Sequence, residues 1–359
     1  MRVGIVGLPN AGKSSLFNAL TAAGAEAANY PFTTIEPNVA VVPVADERLD
    51  AVAGVVGASE VVPDTIAFTD IAGLVAGAHR GEGLGNRFLH HIRETDALLH
   101  VVRCHADEQV VHPDGRVDPV ADAEVVEAEL LTADLETAER RLDRAARAAR
   151  SGDREAIAEE AWLADVVSAL QAGRPVRSIS APAGAPDAQR ELGALTSKPV
   201  LFVANVDEDG SDVPAALEGH AAAEGAATVA VTARLEAELA ELHPQEAAAM
   251  RAELGLAESG LERVVRGAID LLELITFITA GPGSPAQSHH VRRGSTAVQA
   301  AGAVHTQIQR GFVRAEVIGW QQLVEAGGYA PARDRGLLRV EGRDYVMADG
   351  DVLTVRFTS

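Results

Sequence analysis

One cysteine, Cys104, stands in 359 residues. It permits no intramolecular disulfide and no cysteine-built zinc site, and its place after an apolar run reads as a small core residue. Lysine is almost as scarce: of 31 basic residues, Lys13 and Lys198 are lysine and the rest arginine. Positive charge as a whole is short. The formal net charge of −21 argues against general affinity for nucleic acid and confines any RNA-facing surface to a local patch. Residues 276–359 are the exception, with nine arginines against seven acidic residues. No apolar run approaches the length of a membrane-crossing helix. The N-terminus enters a strand-like run at once, without the basic and apolar regions of a secretory signal. Both absences point to the cytoplasm. What remains is 47% hydrophobic and 23% charged, ordinary for a globular protein, and long enough for two or three domains.

What is present is a phosphate-binding pattern. Gly7-Leu8-Pro9-Asn10-Ala11-Gly12-Lys13-Ser14 matches G-x-x-x-x-G-K-[ST]. Arg2-Val3-Gly4-Ile5-Val6 before it reads as a buried strand, and Ser15-Leu16-Phe17-Asn18-Ala19-Leu20 after it as a helix start. In that context the glycines permit the tight turn and backbone N–H groups converge on phosphate oxygens. Asn10, Ala11, Gly12, Lys13, Ser14 and Ser15 are the expected phosphate contacts. Lys13 reaches the β- and γ-phosphates, and the Ser14 hydroxyl is a Mg²⁺ ligand.

The surrounding chain suits that motif. Apolar strands recur at 38–44, 65–69, 97–102, 199–204 and 228–231, alternating with helical stretches. This is an α/β pattern with a mainly parallel sheet, its ligand at the carboxyl ends of the strands. Between 120 and 195 the texture turns rich in Ala, Glu and Arg. Leu130, Leu131, Leu135 and Leu142 fall at helical spacing, Gly152 and Asp153 interrupt, and Trp162, Val166 and Leu170 continue. The spacing predicts an antiparallel helical hairpin inserted into the sheet domain. From about 276 short strand-like pieces and many glycines predict a small α+β domain. The expected boundaries are 1–119 with 196–275 for the sheet domain, 120–195 for the insertion and 276–359 for the last domain.

Further motifs narrow the ligand. Asp70-Ile71-Ala72-Gly73 after an apolar strand is a D-x-x-G element, with Asp70 on Mg²⁺ through water and the Gly73 N–H on the γ-phosphate. Pro31-Phe32-Thr33-Thr34 lies where a switch threonine is expected, and Thr34 is the candidate Mg²⁺ ligand. Leu74 follows Gly73 where Ras-like enzymes carry a water-orienting glutamine; an aliphatic side chain cannot do that. After a later strand comes Asn205-Val206-Asp207-Glu208, where GTPases use N-K-x-D. The lysine position is Val206 and the guanine-reading Asp position is Glu208. Adenine offers a carboxylate no N1–H or 2-amino donor, so the altered motif favours ATP, although Glu208 retains a route to guanine. Thr232-Ala233-Arg234 falls where a base-contacting loop belongs.

Together these residues resemble the Obg-like ATPases, the YchF subfamily of translation-factor-class P-loop NTPases. The resemblance extends through 29–38, through Gly81-Glu82-Gly83-Leu84-Gly85-Asn86-Arg87-Phe88-Leu89, and into Gly311-Phe312-Val313-Arg314-Ala315-Glu316-Val317. It implies a P-loop G domain interrupted by a helical, coiled-coil domain and followed by a β-grasp TGS domain. It implies Mg²⁺-dependent hydrolysis of ATP to ADP and phosphate, with Asn205, Val206 and Glu208 near the nucleotide. It also implies binding to the ribosome, at the large subunit, in translation or stress regulation. The helical and TGS domains would then touch rRNA or tRNA, and no membrane is involved. A loop histidine proposed in the family to position the attacking water matches His112, which read alone is equally a solvated loop residue. Thr33 replaces the family's commoner cysteine. Two alternatives stand beside the ATPase: an Obg-class GTPase in ribosome assembly, and a nucleotide-gated RNA- or ribosome-binding module with negligible turnover.

Overall fold

The structure, a computed structural model, describes residues 1–26, 38–71, 84–105, 117–207, 212–256 and 258–358. The strands among them are β1 Arg2–Val6, β2 Val39–Pro43, β3 Val61–Val62, β4 Thr65–Asp70, β5 Ala97–Arg103, β6 Val200–Asn205, β7 Ala227–Val231, β8 Leu274–Thr279, β9 Ala286–Arg292, β10 Phe312–Gly319, β11 Arg339–Glu341 and β12 Asp351–Phe357. They form two six-stranded sheets, and the chain divides into two compact units. One is Met1–Val41 with Ala67–Leu271; the other is Val42–Ile66 with Leu272–Ser359.

The first sheet runs β2-β4-β1-β5-β6-β7, with β4, β1, β5, β6 and β7 paired in parallel. All seven residues of β5 are buried, as a central parallel strand covered on both faces requires. The expected strands at 38–44, 65–69, 97–102, 199–204 and 228–231 are β2, β4, β5, β6 and β7. Reversal of strand order on either side of β1 puts the carboxyl ends of β1, β4 and β5 around the turn that carries Gly7–Ser14, the usual place for a ligand in such sheets.

The insertion is a helical hairpin, as its spacing predicts. Helix Pro119–Ala149 starts on Asp118, whose carboxylate accepts from Ala121 N at 3.2 Å with Pro119 in the first turn. Helix Arg154–Gln171 starts on Asp153, which accepts from Ala156 N. Trp162, Leu163, Val166 and Leu170 pack against Ala138 and Ala145, with Leu131, Leu135 and Leu142 beside them. Arg141 clamps the hairpin through Glu159 and Glu191, each at 2.6 Å. Asp134, buried in mid-helix, accepts from Leu195 N, Thr196 N and Thr196 Oγ1 at 2.7–2.8 Å. The returning chain is thereby fastened to the hairpin where β6 begins.

The second sheet runs β11-β10-β12-β8-β9-β3 and is mixed: β8–β9, β10–β12 and β10–β11 are antiparallel, whereas β12–β8 and β3–β9 are parallel. Helix Ala297–Val304 packs on Ile275, Phe277, Val317 and Leu353. Helix Glu47–Val56 packs its Leu49, Val52 and Val56 on Ile278, Ile318 and Val352. Arg48 fixes it further, paired with Asp46 and, at 2.7 Å, with Asp349. The compact units therefore group the chain differently from the boundaries expected of the sequence. Residues 42–66 pack with the C-terminal segment, and the hairpin packs with the first sheet.

Cys104 follows β5, half-buried, its Sγ 3.6 Å from Val102 O. Burial, with Asp122 nearby, pushes the thiol up to about 12. Its low thiolate fraction at pH 8 outweighs the higher intrinsic nucleophilicity of a basic thiolate. We therefore expect the folded protein to react with Ellman's reagent about 100-fold more slowly than a free thiol. One equivalent should be released at ordinary rates in 6 M guanidinium, taken as roughly full unfolding.

Candidate functional site: a phosphate loop braced from two strands

The turn after β1 is held by its own backbone and by distant residues. Ala11 N donates to Leu8 O and Leu16 N to Gly12 O, at 3.3 and 3.0 Å. Asn10 adopts φ +63, unusual for a non-glycine residue. Gly7 (φ +152) and Gly12 (φ +100) are conformationally obliged to be glycine. They are also sterically obliged: a Cβ would stand 2.3 Å from Val101 O at Gly7 and 2.2 Å from Asn205 Nδ2 at Gly12.

That second clash marks the brace. Asn205, buried at the end of β6, donates from Nδ2 to Ala11 O and accepts at Oδ1 from Ala233 N, both at 3.1 Å. One amide thus joins the phosphate loop, β6 and the loop after β7. Thr232 Oγ1 donates to Asp207 O at 3.2 Å and Val206 N to Val231 O at 2.9 Å, closing the two base-side loops on each other. The Val206 side chain points into the core with Val102, Phe202 and Leu217. With its N–H spent, a carbonyl oxygen is what Val206 keeps for a ligand. Asp207 is exposed.

Lys13 is buried, and its ammonium donates to Leu8 O at 2.7 Å. Burial lowers its pKa and the nearby Asp70 carboxylate opposes that. Asp70, at the end of β4, is raised by burial and restrained by Lys13. Among the described residues its Oδ1 is buried with no hydrogen-bond partner, as is Thr69 Oγ1 beside it. An unmatched carboxylate oxygen near the phosphate loop fits a hard dication such as Mg²⁺. Ser14, in the first turn of helix Lys13–Glu26, is exposed, and Ser15 is half-buried. Thr34, Gly73, Glu208 and His112 lie outside the described residues, as does Leu74.

A parallel sheet with a lysine-bearing phosphate loop, an acidic strand end and an asparagine brace on the base side defines a P-loop NTPase with a GTPase-type domain. Residues 2–132 match the family described as 50S ribosome-binding GTPase, and 274–358 match YchF-GTPase_C, described as a protein of unknown function. The chain is 44% identical over 363 residues to the ribosome-binding ATPase YchF of Bacillus subtilis, and 46% identical over 359 residues to that of Escherichia coli O157:H7. Each alignment covers 99% of both partners. The structure of the Schizosaccharomyces pombe YchF GTPase superposes with a TM-score of 0.88 at 31% identity, covering 99% of this chain and 97% of that one. The chain belongs to the YchF family.

The role of Asn205 yields a test. Asn205→Ala leaves the buried Ala11 carbonyl and Ala233 N–H unpaired. We expect a loss of about 2–4 kcal/mol in urea unfolding with an unchanged m-value, and nucleotide affinity at least ~10-fold weaker, a cost of about 1.4 kcal/mol. Equal stability of Asn205→Ala and wild type would show that the brace does not hold the loop.

Proposed function

We propose that the chain hydrolyses ATP to ADP and phosphate as a Mg²⁺-dependent, ribosome-associated switch in translation or stress regulation. The observation that carries the ATP reading is the base-side motif. Where a guanine-reading site keeps a lysine stem over the base, Val206 is turned into the core. The names of the relatives, ribosome-binding ATPases, point the same way.

In this reading Lys13 and the N–H groups of 10–15 hold the β- and γ-phosphates and stabilise charge that develops as water attacks the γ-phosphorus. Ser14, Asp70 and Thr34 hold the Mg²⁺, which when bound neutralises phosphate oxygens. The Gly73 N–H meets the γ-phosphate. Leu74 cannot orient water, so His112 takes that task. Asn205, Val206 and Glu208 border the base, Val206 through its backbone and Asn205 by holding the loops in place. We retain 1–119 with 196–275 as the nucleotide-binding domain, 120–195 as the helical domain and 276–359 as a TGS domain. The cytoplasm is the compartment where such a protein works.

For the ribosome, the large subunit is the expected partner, through rRNA or tRNA phosphates. The hairpin offers an exposed row of Arg140, Arg144, Arg147, Arg150 and Arg154 near its tip in a chain of net charge −21. Arginines in that setting suit phosphate contacts that position a protein without reading sequence.

Two measurements test these readings. Calorimetric titration with Mg²⁺–ATP and Mg²⁺–GTP should show ATP bound more tightly; equal or tighter GTP binding would transfer the assignment to a GTPase. The double variant Arg144→Glu, Arg147→Glu should sediment with 70S ribosomes at least ~10-fold less tightly and with a shallower dependence on salt. Its ATP binding should be unchanged. Unaltered sedimentation would remove the hairpin row from the contact.

A further inference from the structure

Beside Val6 of β1 and His100 of β5 lies a cluster that nucleotide chemistry does not use. Glu127 projects from helix Pro119–Ala149, the root of the hairpin. His220 comes from helix Ala215–Ala223, and Glu224 caps that helix. His220 Nε2 lies 3.0 and 3.1 Å from the two carboxylate oxygens of Glu127. Donor atoms of Glu127, His220 and Glu224 all fall within 4.8 Å of one another. Arg177 pairs with Glu224 from the chain that returns after the hairpin.

Next to these groups is a cavity of about 20 Å³, lined by Glu127, Glu224, Arg177, His100 and apolar side chains including Leu130 and Phe202. That is room for one water or one ion and nothing larger. His100, on β5, is 3% exposed and touches the Phe202 ring, centroid to centroid 5.1 Å. No described residue hydrogen-bonds its nitrogens. Burial, with His220, Lys13 and Arg177 adding to it, drives its pKa down to about 3.

We propose that Glu127, His220 and Glu224 bind a transition-metal dication of the zinc type. The donor set is mixed imidazole and carboxylate, which suits zinc and its first-row neighbours and does not suit Mg²⁺. Tetrahedral coordination with bonds of 2.0–2.2 Å sets neighbouring donor atoms roughly 3.3–3.6 Å apart. The His220–Glu127 separations are within a few tenths of that. Charge agrees: the carboxylates of Glu127 and Glu224 against the Arg177 guanidinium leave one negative charge, which a dication more than offsets and a water does not. The competing arrangement has no metal and a proton on His220, giving two ion pairs, His220–Glu127 and Arg177–Glu224. A metal here would fasten the hairpin root to helix Ala215–Ala223.

The test uses full-length protein stripped with chelator and kept in excess Mg²⁺. Titration with Co²⁺ should give one tight equivalent, with the visible spectrum of a low-coordinate ion bearing nitrogen ligands, displaced by Zn²⁺. His220→Gln and Glu127→Gln should each weaken binding at least ~10-fold, and His91→Ala, on an exposed helix end, should not. Zn²⁺ should also raise the melting temperature of wild type in a concentration-dependent way and leave that of His220→Gln unmoved. This second readout holds even if one variant proves unstable. No tight equivalent, or equal binding by wild type and both variants, would overturn the site in favour of the protonated pair.

Discussion

A single side-chain amide ties together the loops around the phosphate-binding turn of this protein. Asn205 spans Ala11 O and Ala233 N, backbone groups of two loops far apart in the chain. Gly12 must lack a Cβ for that contact to exist. Three segments far apart in the chain thus meet at one point, at the carboxyl edge of a parallel sheet where backbone ladders end. Without the amide each loop keeps its own backbone bonds, but the phosphate loop loses its tie to the others. With it, the N–H groups that cradle phosphate are pre-aimed, so less ordering is charged against ligand binding.

Much of this organisation can be read from the chain alone. The strands of the first sheet are short apolar runs between helices, and their periodicity is local. The hairpin is legible because Leu135, Leu142, Trp162 and Val166 repeat at helical spacing and Gly152 and Asp153 interrupt them, whereas the caps at Asp118 and Asp153 are seen in the structure. The phosphate loop is legible because phosphate leaves few backbone solutions. Other features depend on partners far away in sequence. Nothing around Glu47–Val56 says that its apolar face belongs to strands near the C-terminus. Nothing around Glu127 announces His220, 93 residues on. Val206 could be seen as a lost lysine, but its inward turn follows from the cluster around Phe202 and not from the motif. Asp134, which looks like one more charge on a helix, is a buried fastener because Leu195 and Thr196 return to it.

The scarcity of lysine acquires a physical meaning in the structure. Both lysines donate to backbone carbonyls in confined places: Lys13 to Leu8 O, and Lys198 to Arg93 O and Thr95 O. A compact ammonium fits such sites where a planar guanidinium does not. Arginine serves elsewhere as a forked linker, in Arg48 between Asp46 and Asp349 and in Arg141 between Glu159 and Glu191.

The excursion of residues 42–66 into the second unit bears on how the chain is made. Arg48 and its partner Asp349 are separated by 301 positions. At 5–20 residues per second, translation takes roughly 15–60 s to supply that partner. Throughout that interval Leu49, Val52, Ala53 and Val56 have a helix-forming sequence but no strands to cover them. The sheet they belong to has high contact order by construction, and its closure is a late event. The nascent protein therefore emerges with an apolar helix already synthesised and its dock not yet made, a period in which a chaperone at the exit tunnel has something specific to hold.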